Sequence, residues 1–138
     1  MVRKNERSVS KFNTLDSALK LVSYTSGILV NEKIFNPKYQ KMIDRISEET
    51  MLIYHNCRVA NNINVNVSGE ELKYNALTRL KLENEALILC ESLITDIMIS
   101  QKLFHLKASR VRYWTALTVD TKELIKAWYK SEKRRYGL

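Results

Sequence analysis

An all-α fold, an antiparallel up-down-up-down bundle of four helices, is what this sequence predicts, and three observations predict it. Apolar residues recur at steps of three and four through four long segments, the spacing that lines one face of a helix. Three glycines and one proline in 138 residues are too few for the many turns of a sandwich or barrel. Leu and Ile are frequent, and much of the remainder is Lys, Glu, Ala and Arg. At this length one domain is expected, and it can bury roughly two thirds of its unfolded surface without a staple.

Residues 1–12 carry no sustained period and are basic and polar, so a flexible arm is predicted there, with the bundle domain filling 13–138. The first helix is predicted from about Thr14 to Asn31, with Leu15, Ala18, Leu19, Val22, Ser26 and Leu29 as its stripe. Leu21 and Ile28 lie off that stripe, and Gly27 invites a close helix approach. Asn36-Pro37 restarts the chain: Asn suits an N-cap and Pro the first helical position.

The second helix is predicted over 37–61, on Tyr39, Met42, Ile43, Ile46, Thr50, Ile53, Tyr54 and Cys57. Asn61 to Gly69 alternates Asn with Ile or Val; with no partner strand in view it is predicted as a loop. Ser68 and Glu71 fit a capping box for the third helix, which runs to about Lys102 and is about 50 Å long. That helix is apolar on two faces, one through Leu80, Leu87, Cys90, Ile94 and Ile97, the other through Leu82, Ala86, Leu89 and Leu93. Two apolar faces call for a central place in the bundle or a second subunit. The fourth helix is predicted from a Ser109 cap to Arg135. Val111, Trp114, Leu117, Thr118, Thr121, Leu124, Ile125 and Trp128 share one face, and cations occupy the other and the last turns.

Charge placement says more than the net charge of +8. Residues 1–12 are net +3 and residues 126–138 net +4, the latter from Lys126, Lys130, Lys133, Arg134 and Arg135 against Glu132. In an up-down bundle these ends share a pole. The links 31–41 and 100–112 meet at the other pole and are net +6, with Lys107, Arg110 and Arg112 among their cations. The rest of the chain is net acidic. Two basic poles favour a polyanionic partner, nucleic acid above all; a merely solubilising surface is the competing reading. Lys126, Lys130, Lys133, Arg134, Arg135, Lys107, Arg110 and Arg112 are the candidate nucleic-acid contacts.

No catalytic or metal constellation is evident. His55 and His105 stand on different elements, and no Glu-x-x-His or His-Cys metal spacing exists. Glu48, Glu49, Glu83, Glu85, Glu91 and Asp96 read as solvated helix surface, and no phosphate-cradling glycine loop is present. An enzyme is not expected, nor a metal or any other cofactor. Cys57 and Cys90 read as reduced core thiols. The polar N-terminus lacks the apolar stretch of a signal peptide, and no apolar run approaches the ~18 residues of a membrane span; a cytoplasmic protein with no membrane partner is expected. Asp44, Arg45 and Asp120 flank apolar positions, where ion pairs fixing bundle register are favoured over ligand contact.

Two stretches resemble a known family. Phe35–Asn61 (F-N-P-K-Y-Q-K-M-I-D-R-I-S-E-E-T-M-L-I-Y-H-N-C-R-V-A-N) resembles a pattern of F-P-K entry, D-R-I, apolar I-Y and closing A-N. Tyr113–Arg135 (Y-W-T-A-L-T-V-D-T-K-E-L-I-K-A-W-Y-K-S-E-K-R-R) resembles its ending, Y-W, then apolar-Asp-x-Lys, then W-x-K-S with basic residues behind. The family is that of the accessory variability determinant (Avd) proteins of diversity-generating retroelements, with the ribosomal-RNA intervening-sequence proteins as relatives.

The resemblance implies a homopentameric barrel of four-helix bundles with a positive surface. It also implies association with a reverse transcriptase and its template RNA, or an RNA–DNA hybrid, in mutagenic cDNA synthesis. Asp44, Arg45, Tyr54, Trp114, Asp120, Trp128, Lys130 and Arg134 are the positions carried over. Lys130 and Arg134 are assigned to nucleic acid, and Tyr54, Trp114 and Trp128 to the core. The alternatives are an oligomeric scaffold that binds only protein, and an RNA-binding bundle unrelated to reverse transcription.

Overall fold

The computed structural model describes the backbone from Lys4 to Leu138 and the side chains from Asn13 onward. Four helices account for nearly all of it: α1 (Lys4–Leu29), α2 (Gln40–Asn62), α3 (Gly69–Leu103) and α4 (Ala108–Arg135). No strand occurs among the described residues. Each helix packs on its neighbour in sequence, most extensively α2 on α3, and α1 packs on α4. The four therefore close a ring around one core.

That core is built from the predicted stripes. Ile43, Ile46, Ile53 and Cys57 of α2 meet Ala86, Cys90, Leu93 and Ile97 of α3, and Trp114, Leu117, Ile125 and Trp128 of α4. Trp114 is wholly buried and Trp128 is 3% exposed, while Tyr54 packs half-buried against the same cluster. From α1 come Ala18 and Leu21. Leu21 lies off the predicted stripe, whereas Leu19, on it, is exposed; the buried face of α1 is rotated because α2 and α4 flank it on both sides. Polar bonds fix that seam. Trp114 Nε1 donates to Thr25 Oγ1 at 3.0 Å, and Ser17 Oγ lies 2.8 Å from Thr121 Oγ1. The single Thr121 hydroxyl proton goes to the Leu117 carbonyl, so Ser17 is the donor.

Several local expectations are corrected. Helix α1 begins at Lys4 rather than near Thr14. The arm predicted over 1–12 lies outside the described residues in its first three positions and in all its side chains. Gly27 is exposed with nothing close to it, so it mediates no helix approach. Asn36 does cap through its side chain, accepting from the Lys38 N–H at 2.9 Å, but what it caps is a single 3-10 turn, Pro37–Tyr39, ahead of α2. Ser68 occupies the N-cap of α3 without a side-chain cap bond, so the capping box does not form. Helix α4 starts at Ala108 with Lys107 at its cap, displacing Ser109. Of the stretch predicted as a loop, residues 63–68 form one, while Asn61 and Asn62 still belong to α2 and Gly69 opens α3. In the loop, Ile63, Val65 and Val67 are half-buried, and the intervening Asn64 and Asn66 are exposed.

The largest correction concerns the acids. Glu49, Glu83 and Asp96 are buried, not solvated surface. A fourth buried acid, Glu132, forms the most enclosed ion pair of the described residues, with Arg79 of α3; both are 2% exposed. Arg79 Nε donates to Glu132 Oε2 at 2.9 Å and its Nη2 to Oε1 at 2.6 Å. This is the two-pronged geometry that guanidinium favours. Its remaining Nη1 donates to the Ile63 carbonyl at the end of α2, at 3.1 Å. One side chain thus ties three elements. The guanidinium also stands 5.9 Å from the centre of the Trp128 ring, whose Nε1 is buried without a hydrogen-bond partner.

Removing one member of such a pair strands the other charge in the core. Arg79→Met should therefore lower stability by about 3–5 kcal/mol, and Arg79→Met with Glu132→Leu should recover much of the loss. Urea unfolding of both variants measures this.

Candidate nucleic-acid interface

The end of α4 is shaped by a glycine stop. Gly137, at φ +65°, takes the left-handed conformation that a residue without Cβ adopts freely. The Leu138 N–H bonds the Lys133 carbonyl at 2.9 Å and the Gly137 N–H bonds the Arg134 carbonyl at 3.2 Å. This pair of bonds closes a helix of the Schellman type. The last turns stay helical up to this stop, and Lys126, Lys130, Lys133, Arg134 and Arg135 are all exposed on them. Two of these cations lie near aromatic faces: Lys133 Nζ is 5.9 Å from the Tyr129 ring centre, and the Arg135 guanidinium 5.1 Å from that of Tyr136. Glu132, the one acid of residues 126–138, is turned inward onto Arg79. Every exposed charged side chain of this segment is therefore a cation.

A second basic region forms where the link before α2 meets the link before α4. Phe35 and Phe104 join the two links with ring centres 4.9 Å apart; Tyr39 stands edge-on to Phe104 at 5.6 Å, and Phe35 edge-on to Trp114 at 6.1 Å. Around this aromatic knot lies a pocket of about 260 Å³ lined by Lys33, His105, Lys107 and Arg110 over Ile34, Phe104 and Leu106. His105 sits at φ 52°, an uncommon backbone for a residue with a Cβ. The first turn of α4 holds no acid and no side-chain cap, so the partial positive charge of that helix end adds to the cations. Beside it, Lys38, Lys41 and Arg45 line a shallower groove with Tyr39 and Met42. Arg112 is exposed nearby on α4, and Arg110 is half-buried, close enough to Tyr24 to act on its hydroxyl. Burial is the larger influence there and raises the Tyr24 phenol above its ordinary range against the opposing Arg110 charge.

The candidate cations thus fall into two groups: Lys126, Lys130, Lys133, Arg134 and Arg135 on the end of α4, and Lys107, Arg110 and Arg112 at its start. Lys33, Lys38, Lys41 and Arg45 adjoin the second group; they stand on other elements, so reading α4 by itself leaves them out. Lys122, midway along α4, is paired with Glu91 of α3 instead. Of the predicted ion-pair residues, Arg45 alone forms one, with Asp96 of α3. Asp44 accepts from the Gln40 amide of its own helix at 2.8 Å. Asp120 is exposed beside Asp16 and Lys20 along a surface groove, and forms no ion pair among the described residues.

Compared with protein-family models, curated proteins and solved structures, the chain matches none. What fold and surface define is a class: a four-helix protein with cations gathered at both ends of its fourth helix. Among the described residues, no cluster of three or more His, Cys, Asp or Glu is placed to hold a metal ion. No helix there is long and apolar enough to cross a membrane.

Both cysteines face the core while His55 faces solvent, so the adjacent Cys57 and His55 do not converge. Burial pushes the Cys57 thiol far up, and it pushes Cys90 up to about 12. Thiols held protonated and enclosed are poor nucleophiles. Neither should react with a disulfide reagent at pH 8 in the folded protein, and both should react once it is unfolded in guanidinium; absorbance of the released thiolate reports the difference.

Proposed function

We propose that this protein is a non-enzymatic accessory of the Avd type. In this reading it is a cytoplasmic up-down-up-down bundle that assembles as a homopentamer. It binds RNA or an RNA–DNA hybrid together with a reverse transcriptase, in support of mutagenic cDNA synthesis. The family part rests on the likeness of Phe35–Asn61 and Tyr113–Arg135 to that pattern. The nucleic-acid part rests on one observation: the end of α4 turns its only acid into the core and leaves five cations outside. Backbone phosphates are bound by such surfaces irrespective of sequence.

The antiparallel arrangement is supported by how residues pair. Ser17 meets Thr121 while Thr25 meets Trp114, so numbers rise along α1 as they fall along α4. Arg45 meets Asp96 while Glu49 meets Ser92, the same relation between α2 and α3. The assembly is supported by the outer line of α3, where Leu77, Ile88 and Ile99 stand exposed at eleven-residue steps with Met98 beside them. That period keeps them on one helical face. The same line would equally serve a scaffold that binds only protein, and salt-dependent RNA binding separates the two.

Replacing Lys133, Arg134 and Arg135 together with Gln should leave fold and assembly unchanged and weaken RNA binding. It should also flatten the salt dependence by about one unit of slope for each phosphate no longer neutralised. Fluorescence titration at several salt concentrations measures both; wild-type affinity and slope would refute this surface. Light scattering should give several times the chain mass of 16.2 kDa, and a monomer at micromolar concentration would refute the assembly.

A further inference from the structure

Two buried carboxylates, Glu49 of α2 and Asp96 of α3, face each other across the α2–α3 seam. Asp96 of α3 has both oxygens engaged by Arg45 of α2, Nε to Oδ2 at 2.9 Å and Nη2 to Oδ1. Glu49, one turn along α2 from Arg45, is 7% exposed. Its Oε2 accepts from the Ser92 hydroxyl of α3. Its Oε1 is buried and finds no donor, and its carboxyl is within hydrogen-bonding reach of Asp96. An ionised Glu49 would leave a bare anionic oxygen out of water beside a second carboxylate whose cation is already engaged. Two carboxylates so placed cannot both ionise cheaply, and one retains a proton.

We propose that Glu49 and Asp96 share a single proton, and that this proton is a pH-operated clamp across the α2–α3 seam, lost as the solution becomes alkaline. The proton sits on Glu49 Oε1 and is donated to Asp96, whose oxygens keep a lone pair free beside the guanidinium. When it leaves for water, two carboxylates remain facing Arg45, and the seam loses a hydrogen bond and gains a repulsion. The charged groups acting on Glu49 are Arg45 of its own helix and Asp96 of α3; among the described residues α1 and α4 bring none to it. The inference rests on this geometry alone and is independent of any nucleic-acid reading.

The expected direction of titration follows from these contacts. Burial first, then the bond with Asp96, push Glu49 up to about 7 against the opposing Ser92 bond and Arg45 charge. Burial works to raise Asp96 as well, but the bonds from Arg45 and Glu49 and the Arg45 charge outweigh it and hold Asp96 below its ordinary range. The signs differ accordingly. Glu49 binds its proton more tightly when folded, so its contribution is complete below the ordinary carboxylate range, erodes as pH rises from there, and is gone above about 7. The Asp96 contribution is lost only in acid, as pH falls below that range.

Glu49→Gln supplies the test, because its amide donates to Asp96 and its carbonyl accepts from Ser92 at every pH. The folding equilibrium of the full chain is measured for wild type and E49Q between pH 4 and 8.5. The ratio of their folding constants, wild type over variant, should fall on the order of a hundredfold up to about pH 7 and then level off. A double variant, His55→Gln with His105→Gln, should keep the wild-type fall. A ratio constant across the range would overturn the proposal. Carbon-13 NMR of the Glu49 carboxyl in the wild-type protein decides the matter should E49Q not fold: a midpoint near 7 supports the clamp, and one in the ordinary carboxylate range overturns it.

Discussion

The Arg79–Glu132 pair is the constraint on which the ends of this bundle depend. Its two oxygens and three nitrogens close a network that no water need enter. The guanidinium satisfies the carboxylate with two bonds and the last turn of α2 with a third. Such a pair is not a cheap source of stability, since both charges must leave water. What it supplies is position: the geometry is met at one relative placement of α2, α3 and α4 and at no other nearby. Trp128 lies against the same guanidinium, so the apolar core and the ion pair fix the same register. The consequence reaches the surface, because the turn that points Glu132 inward points Lys130, Lys133 and Arg134 out.

A second constraint works on the other side of the ring. Between α1 and α4 there is no ion pair among the described residues; the seam is fixed by hydroxyls and one indole N–H. Thr25, Trp114 and Thr121 are buried and Ser17 partly so, and they are satisfied by one another and by the Leu117 carbonyl rather than by solvent. The aromatic knot of Phe35, Phe104, Tyr39 and Trp114 then joins the two links above them. The basic pocket around Lys33, Lys107 and Arg110 takes its shape from that knot.

The helices and most of the core are legible in the sequence because a period of three to four residues records burial directly. The inward face of α4 from Val111 to Trp128 is the plainest case. Helix boundaries are less legible: Ser68 and Ser109 are good cap residues by type, yet the chain enters α3 and α4 in conformations that leave their side chains unused. The buried acids mislead for a different reason. Glu49 stands three residues after Ile46 and four before Ile53, and Glu83 three after Leu80 and three before Ala86, so the spacing itself puts them inward. Residue type argues for the surface and position for the core, and position prevails. Their partners lie far away in sequence, 51 residues for Arg45 with Asp96 and 53 for Arg79 with Glu132, and no local pattern announces a pairing of that span. The positive surfaces are legible as charge runs, but their sharpness is not, since it depends on where Glu132 points.

Three of the buried acids reach charge balance by different routes, and the difference follows from how many cations the interior admits. Arg79 is fully enclosed and satisfies Glu132 outright. Arg45 is half out in solvent, with 56% of its side chain exposed, and still gives two nitrogens to Asp96. Glu49, beside Asp96 at that seam, finds a hydroxyl but no cation of its own. A buried carboxyl in that position keeps its proton, because the cost of an uncompensated charge in the core exceeds the cost of holding a proton somewhat above the ordinary carboxylate range. The α2–α3 seam, the most extensively packed among the described residues, therefore carries an ionisable weak point at the place where the supply of guanidinium ends.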